Sequence, residues 1–312
     1  MSIRHGLKYT LTVLLAASTL VGCSDSSTKT SSGASTEDSA TLSVLCPTGA
    51  PALASLGLAE SGANVEYVEG QDLLVSELSK GDSDYDMIIA PINVGVRTWK
   101  EAGEYQLDGV LTWGNLYLVS ELSDWNESDQ NIALFGEGAV PGMVFSNLYP
   151  DLKANAEYYP SVSEASAALV GGNTNTALLA QPAAAGAMAK AKENGTDFFL
   201  VEDLQETWQT VHESDHKGYP QAALFVKKDK TDDYSQSLAS LKDWLAKADT
   251  STIETAVEKY TPDRLGVPNA KLAASTWTQQ NIDFVEAKTV QKDIEDFLAI
   301  FNIELPEEII VQ

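Results

Sequence analysis

Few side chains in this sequence have the type and spacing for covalent or metal chemistry. His212 and His216 lie four residues apart with Glu213 and Asp215 between them, a spacing that can put two imidazoles on one helical face to hold a metal ion. Gly218 and Pro220 follow at once, the segment has no apolar support, and the remaining histidine, His5, is at the far N-terminus. The pair therefore reads as part of a solvated loop. Gly136, Gly138 and Gly142, with Glu157 further on, approximate a dinucleotide fingerprint with the wrong glycine spacing. No Gly-x-Ser-x-Gly elbow is present. Cys46 has no basic partner nearby and reads as a small buried residue rather than a nucleophile. The expectation is no enzyme, no cofactor and no metal.

What remains is the chemistry of recognition, carried by uncharged groups in turns. Thr48 offers a hydroxyl, and the N–H groups of Gly49 and Ala50 stand at a helix start. Gly49 also allows close approach to the chain. The other reading is a plain tight turn. Asn93 can read an amide or ring nitrogen, or cap the next helix. Gly138 and Ala139 leave backbone exposed ahead of Pro141, and Gln181 can donate or accept from an opposing wall or face solvent.

Trp113, Asn115 and Tyr117 alternate, so one extended strand would put all three on one face. With Tyr219 they could stack on a flat ligand or pack in a core. These stretches contain no Lys or Arg; Arg97 and Lys100 fall beyond them, on a helix surface. That favours a neutral or weakly charged heteroaromatic such as a pyrimidine. A sulfonate or other small organic anion, held by backbone donors, is the alternative.

The elements that must position these residues alternate. Residues 41–46, 64–68 and 86–90 read as strands, 50–60 and 71–80 as helices, and 111–118 as a further strand. The pattern then restarts: strand 131–135, helix from 144, strand 156–159, helix 161–170, strand 176–180 and an Ala-rich helix to about 192. Strands follow at 198–201 and 221–226, and helices at 235–248, 251–259 and 289–301. Such alternation implies an α/β architecture with parallel sheets, and every turn singled out above follows a strand, where open sheets bind ligands.

The chain has 20 basic and 45 acidic residues, a net charge of −25, which disfavours nucleic acid and anionic lipid surfaces. Arg4, His5 and Lys8 precede an apolar run, 11–20, too short to span a bilayer. Leu20-Val21-Gly22-Cys23 resembles a bacterial lipobox. This predicts a signal peptide over 1–22, acylation (palmitate) on Cys23, and a flexible Ser- and Thr-rich tether over 23–40. Cys46 is then left without a disulfide partner.

Three peptides carry a family resemblance: Cys46-Pro47-Thr48-Gly49-Ala50-Pro51-Ala52-Leu53, Asp86-Met87-Ile88-Ile89-Ala90-Pro91-Ile92-Asn93-Val94-Gly95 and Ala177-Leu178-Leu179-Ala180-Gln181-Pro182-Ala183. They resemble the type II periplasmic-binding-protein fold, in the branch of ABC-transporter binding proteins for aliphatic sulfonates, nitrate and thiamine-type pyrimidines.

The resemblance implies two lobes, each a mainly parallel sheet flanked by helices, joined by two crossing strands. Residues 41–113 and 221–312 would form lobe 1, and 114–220 lobe 2. A small-molecule solute would sit in the cleft, touching Thr48, Gly49, Ala50, Asn93, Trp113, Asn115, Tyr117, Gly138, Ala139, Gln181 and Tyr219. The implied partners are an ABC permease and its ATPase. The implied state is a monomer outside the cytoplasm, attached to the bacterial cell membrane through its lipid alone. The rival readings are a ligand-presenting receptor subunit for a signalling system and a secreted pyrimidine-processing enzyme. The Cys-rich iron-binding stretch of pyrimidine-synthesising relatives is missing here.

Overall fold

A computed structural model describes residues 41–228 and 234–312, with the side chains of 100–102 excepted. The leader, Cys23 and the tether lie outside the described residues. Among the described residues no helix is long and apolar enough to cross a membrane.

The chain lays down β1 (Ser43–Pro47), β2 (Asn64–Val68), β3 (Met87–Pro91) and β4 (Tyr105–Thr112) in a first sheet. It crosses to a second sheet for β5 (Leu116–Ser120), β6 (Asn131–Phe135), β7 (Asn155–Tyr159), β8 (Thr176–Ala180) and β9 (Phe199–Asp203). It then returns for β10 (Ala222–Lys227) and β11 (Ile282–Glu286). The sheet orders are β11-β4-β10-β3-β1-β2 and β7-β6-β8-β5-β9. β1 runs parallel to β2 and β3, and β6 runs parallel to β7 and β8. In each sheet the strand that follows a crossing is inserted antiparallel between two others: β10 between β3 and β4, β5 between β8 and β9. The two halves thus share one plan: a type II periplasmic-binding-protein fold with mixed α/β layers.

Burial on both faces explains the continuous apolar strands. In β1 and β3, Leu45, Ile88 and Ala90 point into one core, and Val44, Cys46, Met87 and Ile89 point into the other, as period-two alternation requires. The first of these cores does not stop at the sheet. It continues through Trp113, Tyr219, Trp208 and Phe297 to Leu118, Ile132 and Leu178 of the second sheet.

Several sequence expectations are corrected. Residues 111–118 are not one strand: β4 ends at Thr112, β5 starts at Leu116, and Gly114 between them has φ +84°. The expected helix 50–60 divides into Ala50–Ala54 and Leu56–Glu60 around Ser55, whose hydroxyl donates to Ala52 O at 2.8 Å. The helix after β3 begins at once, Ile92–Ala102, so Asn93 is in its first turn rather than in a loop. His212 ends the helix Leu204–His212 and stacks on Trp208 with centroids 3.8 Å apart, so this half of the pair is not in a solvated loop. β11 and the start of β4 went unseen. Gln106, Asp108 and Gly109 interrupt the apolar pattern of β4, and β11 is a five-residue edge strand with no fully buried position.

Candidate functional site

The carboxyl ends of β1, β3, β6 and β8 meet around a cavity of about 740 Å³, with Pro47, Pro91, Phe135 and Ala180 in its wall. Ligands in open α/β sheets bind at this edge. Three helices of the second half start in the wall: Val140–Leu148, Val162–Val170 and Ala183–Glu193. The first N–H groups of each have no intrahelical acceptor, and each start carries the positive end of a helix dipole. Among the described lining residues the one charged side chain is the carboxylate of Asp263.

Thr48, Gly49 and Ala50 line the cavity. The turn is held from two sides: Thr48 N–H donates to Val68 O at 3.0 Å, and Gly49 N–H donates to Leu265 O at 2.8 Å. Gly49 itself has φ +90°, a conformation open to glycine. Against this turn packs Gly266, at φ +70°, where an added Cβ would come within 2.6 Å of Thr48 Cβ. Gly266 therefore lets the neighbouring loop reach the cavity, and that loop brings Asp263, Val267 and Pro268 into the wall. The sequence reading missed this loop, which lies far along the chain and joins the site only through that close approach. It also missed Phe135, a half-buried ring at the end of β6 that lines the cavity.

Ala139, Asn115 and Gln181 also line the cavity. Gln181 is largely committed to the fold. Its Nε2 donates to Gln279 Oε1 at 2.9 Å, and its Oε1 accepts from Ala185 N–H at 3.2 Å, capping the helix Ala183–Glu193. Its backbone N–H donates to Asn115 O at 2.9 Å, and its carbonyl accepts from Asn115 Nδ2 at 2.8 Å.

The expected aromatic platform is elsewhere. Trp113 is 2% exposed, donates its indole N–H to Asp283 O at 3.2 Å and stacks on His216 with centroids 4.7 Å apart. Tyr219 is fully buried and lies parallel to Phe297 at 5.6 Å. Tyr117 donates its hydroxyl to Gln279 O at 2.9 Å and faces a separate cavity of about 590 Å³, with Glu202, Asp203 and Lys217 in its wall. Burial, with the Asp203 carboxylate nearby, pushes the phenols of Tyr117 and Tyr219 up. Asn93 and Gly138 are likewise absent from the cavity wall: Asn93 is buried at its helix start, and Gly138 has open space where a Cβ would sit. The structure thus gathers Thr48, Gly49, Ala50, Asn115, Ala139 and Gln181 and leaves out Asn93, Trp113, Tyr117, Gly138 and Tyr219.

The crossings that carry the aromatics fit into one another. Tyr219 N–H donates to Trp113 O at 3.1 Å. A Cβ on Gly218 would lie 1.9 Å from that same carbonyl oxygen, and a Cβ on Gly114 would lie 2.5 Å from the Tyr219 ring. His216 completes the packing, 3.4 Å from Asp293 Oδ2, while His212 Nε2 is 2.9 Å from Asn147 Oδ1. The two imidazoles have different partners. Among the described residues no cluster of three or more His, Cys, Asp or Glu is placed to hold a metal ion.

In sequence, no family model and no curated protein matches the chain. In structure, the chain is similar to an ABC transporter from Parabacteroides distasonis, with TM-score 0.73 and 17% identity over 87% of this chain and 99% of that one. It is also similar to the periplasmic aliphatic sulphonate binding protein SsuA from Escherichia coli, with TM-score 0.55 and 15% identity over 84% and 91%. The ligand binding component of an ABC-type import system from Staphylococcus aureus, with zinc bound, gives TM-score 0.53 and 11% identity over 87% and 96%. At these identities the likeness is one of fold.

Proposed function

We propose that this protein is the extracytoplasmic solute-binding component of an ABC importer and that it captures a small nutrient in the cavity between its sheets. The observation that carries this is the position of the cavity. It lies at the carboxyl edges of both sheets, ringed by helix starts, with the two crossings alongside. Solved proteins of the same fold include import and sulphonate-binding components. In this reading lobe 1 spans 41–113 and 221–312, and lobe 2 spans 114–220. Solute favours the closed arrangement by a few kcal/mol of differential affinity, and the loaded monomer docks on a permease driven by its ATPase. Acylation of Cys23 holds it at the membrane, and no catalytic step is involved.

The solute of this reading is neutral or weakly charged, a pyrimidine or related heteroaromatic. Support comes from a wall with no described Lys or Arg and from the half-buried Phe135 ring. A cationic side chain would normally accompany a full anion; the helix starts are the donors that the sulfonate alternative would use. Mass spectrometry of small molecules released on denaturing the purified protein tests the reading. A heteroaromatic in stoichiometric amount supports it. A sulfonate in that amount would replace the ligand class, and a chemically altered product on incubation would replace binding with catalysis.

A further inference from the structure

Two hydrogen-bond acceptors at the cavity have nothing to accept from. Asn115 is 4% exposed and lines the wall, yet its Oδ1 has no partner. Its orientation is fixed, because Nδ2 must face the carbonyl of Gln181 that it donates to at 2.8 Å. A flipped amide would set two oxygens against each other, so the free atom is an oxygen. The second is Gln221 Oε1, a buried atom without a partner on a half-buried residue of the same wall. The Gln221 amide, unlike that of Asn115, has no described side-chain hydrogen bond to fix which end faces inward. Asn115 belongs to the first crossing and Gln221 to the second, where Gln221 N–H pairs with Thr112 O at 2.9 Å. The two residues that bury these oxygens therefore come from adjoining segments that line the cavity.

A buried polar atom left unpaired costs about 1–3 kcal/mol, and the fold keeps two here. The Gln181 amide in the same wall is bonded to Gln279 Oε1 and Ala185 N–H instead of to either oxygen. We infer that Asn115 and Gln221 are specificity residues that read N–H donors on the solute, so that the solute presents an amide, ureide, lactam or amino-heterocycle edge to the crossings. The opposite edge, rich in acceptors, then meets the helix starts at Val140, Val162 and Ala183. A donor-free anion such as a sulfonate or nitrate would turn its lone pairs toward two acceptor oxygens and leave them unpaired. This inference rests on the binding reading above and narrows its ligand class.

The test is thermal shift and titration calorimetry on the full chain with two sets of probes. Cytosine, uracil, hydantoin and urea carry N–H donors; 1,3-dimethyluracil, ethanesulfonate and nitrate do not. The expected result is stabilisation by at least one donor probe and loss of at least about tenfold in affinity on N-methylation, the worth of one net hydrogen bond. Gln221→Leu should weaken the same probe by about tenfold, and Gln221→Glu, which keeps an acceptor oxygen, by much less. Asn115→Leu should do the same, but it also breaks the contact with Gln181, so Gln221 is the cleaner position. Tight binding of ethanesulfonate or nitrate, or equal binding of uracil and its dimethyl derivative, overturns the donor inference and leaves solute binding standing. No response to any probe of either set overturns both.

Discussion

Gln181 Nε2 donates to Gln279 Oε1 at 2.9 Å, joining the end of β8 to the turn at Trp277–Gln280 that leads back into the first sheet. The Gln279 backbone takes a second bond from the same side, from the Tyr117 hydroxyl at 2.9 Å. Gln279→Ala removes the first bond and keeps the second. We expect a loss of about 0.5–1.5 kcal/mol in stability, read as a lower urea midpoint with an unchanged slope. An unchanged midpoint would mean that the bond is not kept in solution.

Two glycines at φ +70° should respond in opposite ways. Gly266→Ala drives a methyl group to 2.6 Å from Thr48 Cβ and must push the turn at Thr48 and Gly49 aside. Gly138→Ala meets nothing within 4 Å and carries only the left-handed backbone penalty of about 1–2 kcal/mol. We expect solute affinity to fall for Gly266→Ala and to hold for Gly138→Ala. Calorimetry on both with the solute recovered from the protein decides this, and equal affinities would place the Thr48 turn outside the site.

Trp113→Ala is a stability variant here, not a binding one. The ring is buried against His216, and truncating a buried aromatic costs about 3–5 kcal/mol. Phe135→Ala, at a half-buried ring in the cavity wall, should cost less in stability and more in affinity. Chemical denaturation and calorimetry on both variants would separate the roles. A larger affinity loss for Trp113→Ala in molecules that remain folded would reverse them.

Burial raises the carboxyl of Asp108 to about 6, with Lys242 opposing, and its Oδ2 has no hydrogen-bond partner. The folded state therefore holds a proton that the unfolded state releases between about pH 4 and pH 6. Its contribution is full below the unfolded value and is lost as the pH rises through the folded one. Asp108→Asn should thus be neutral near pH 4 and stabilising by about 1–3 kcal/mol at pH 7. Urea titrations across this range would show it; a constant difference at all pH values would assign the effect to packing.

Much of this architecture can be read directly from residues. The apolar runs of β1 and β3, the turn chemistry of Thr48-Gly49-Ala50 and the Pro before the Ala-rich helix point to strand ends facing a ligand. The turns at Thr48 and Ala139 line the cavity because strand-to-helix turns are local features. What was hidden is non-local. The alternation of Trp113, Asn115 and Tyr117 fails because Gly114 turns the backbone between them, so Asn115 reaches the cavity and the two rings do not. The commitment of Gln181 to Gln279, 98 residues away, has no local signal, and neither does the approach of Gly266 to Thr48.

The apolar core that threads from one sheet to the other through Trp208, Tyr219 and Phe297 has a thermodynamic corollary. Neither half can melt while the other keeps its interior dry, since each supplies part of the same packed mass. Heating should give one cooperative transition with matching calorimetric and van't Hoff enthalpies. Occupancy of the cleft would then be reported by the whole described body, by helices remote from the solute as faithfully as by the turns that touch it.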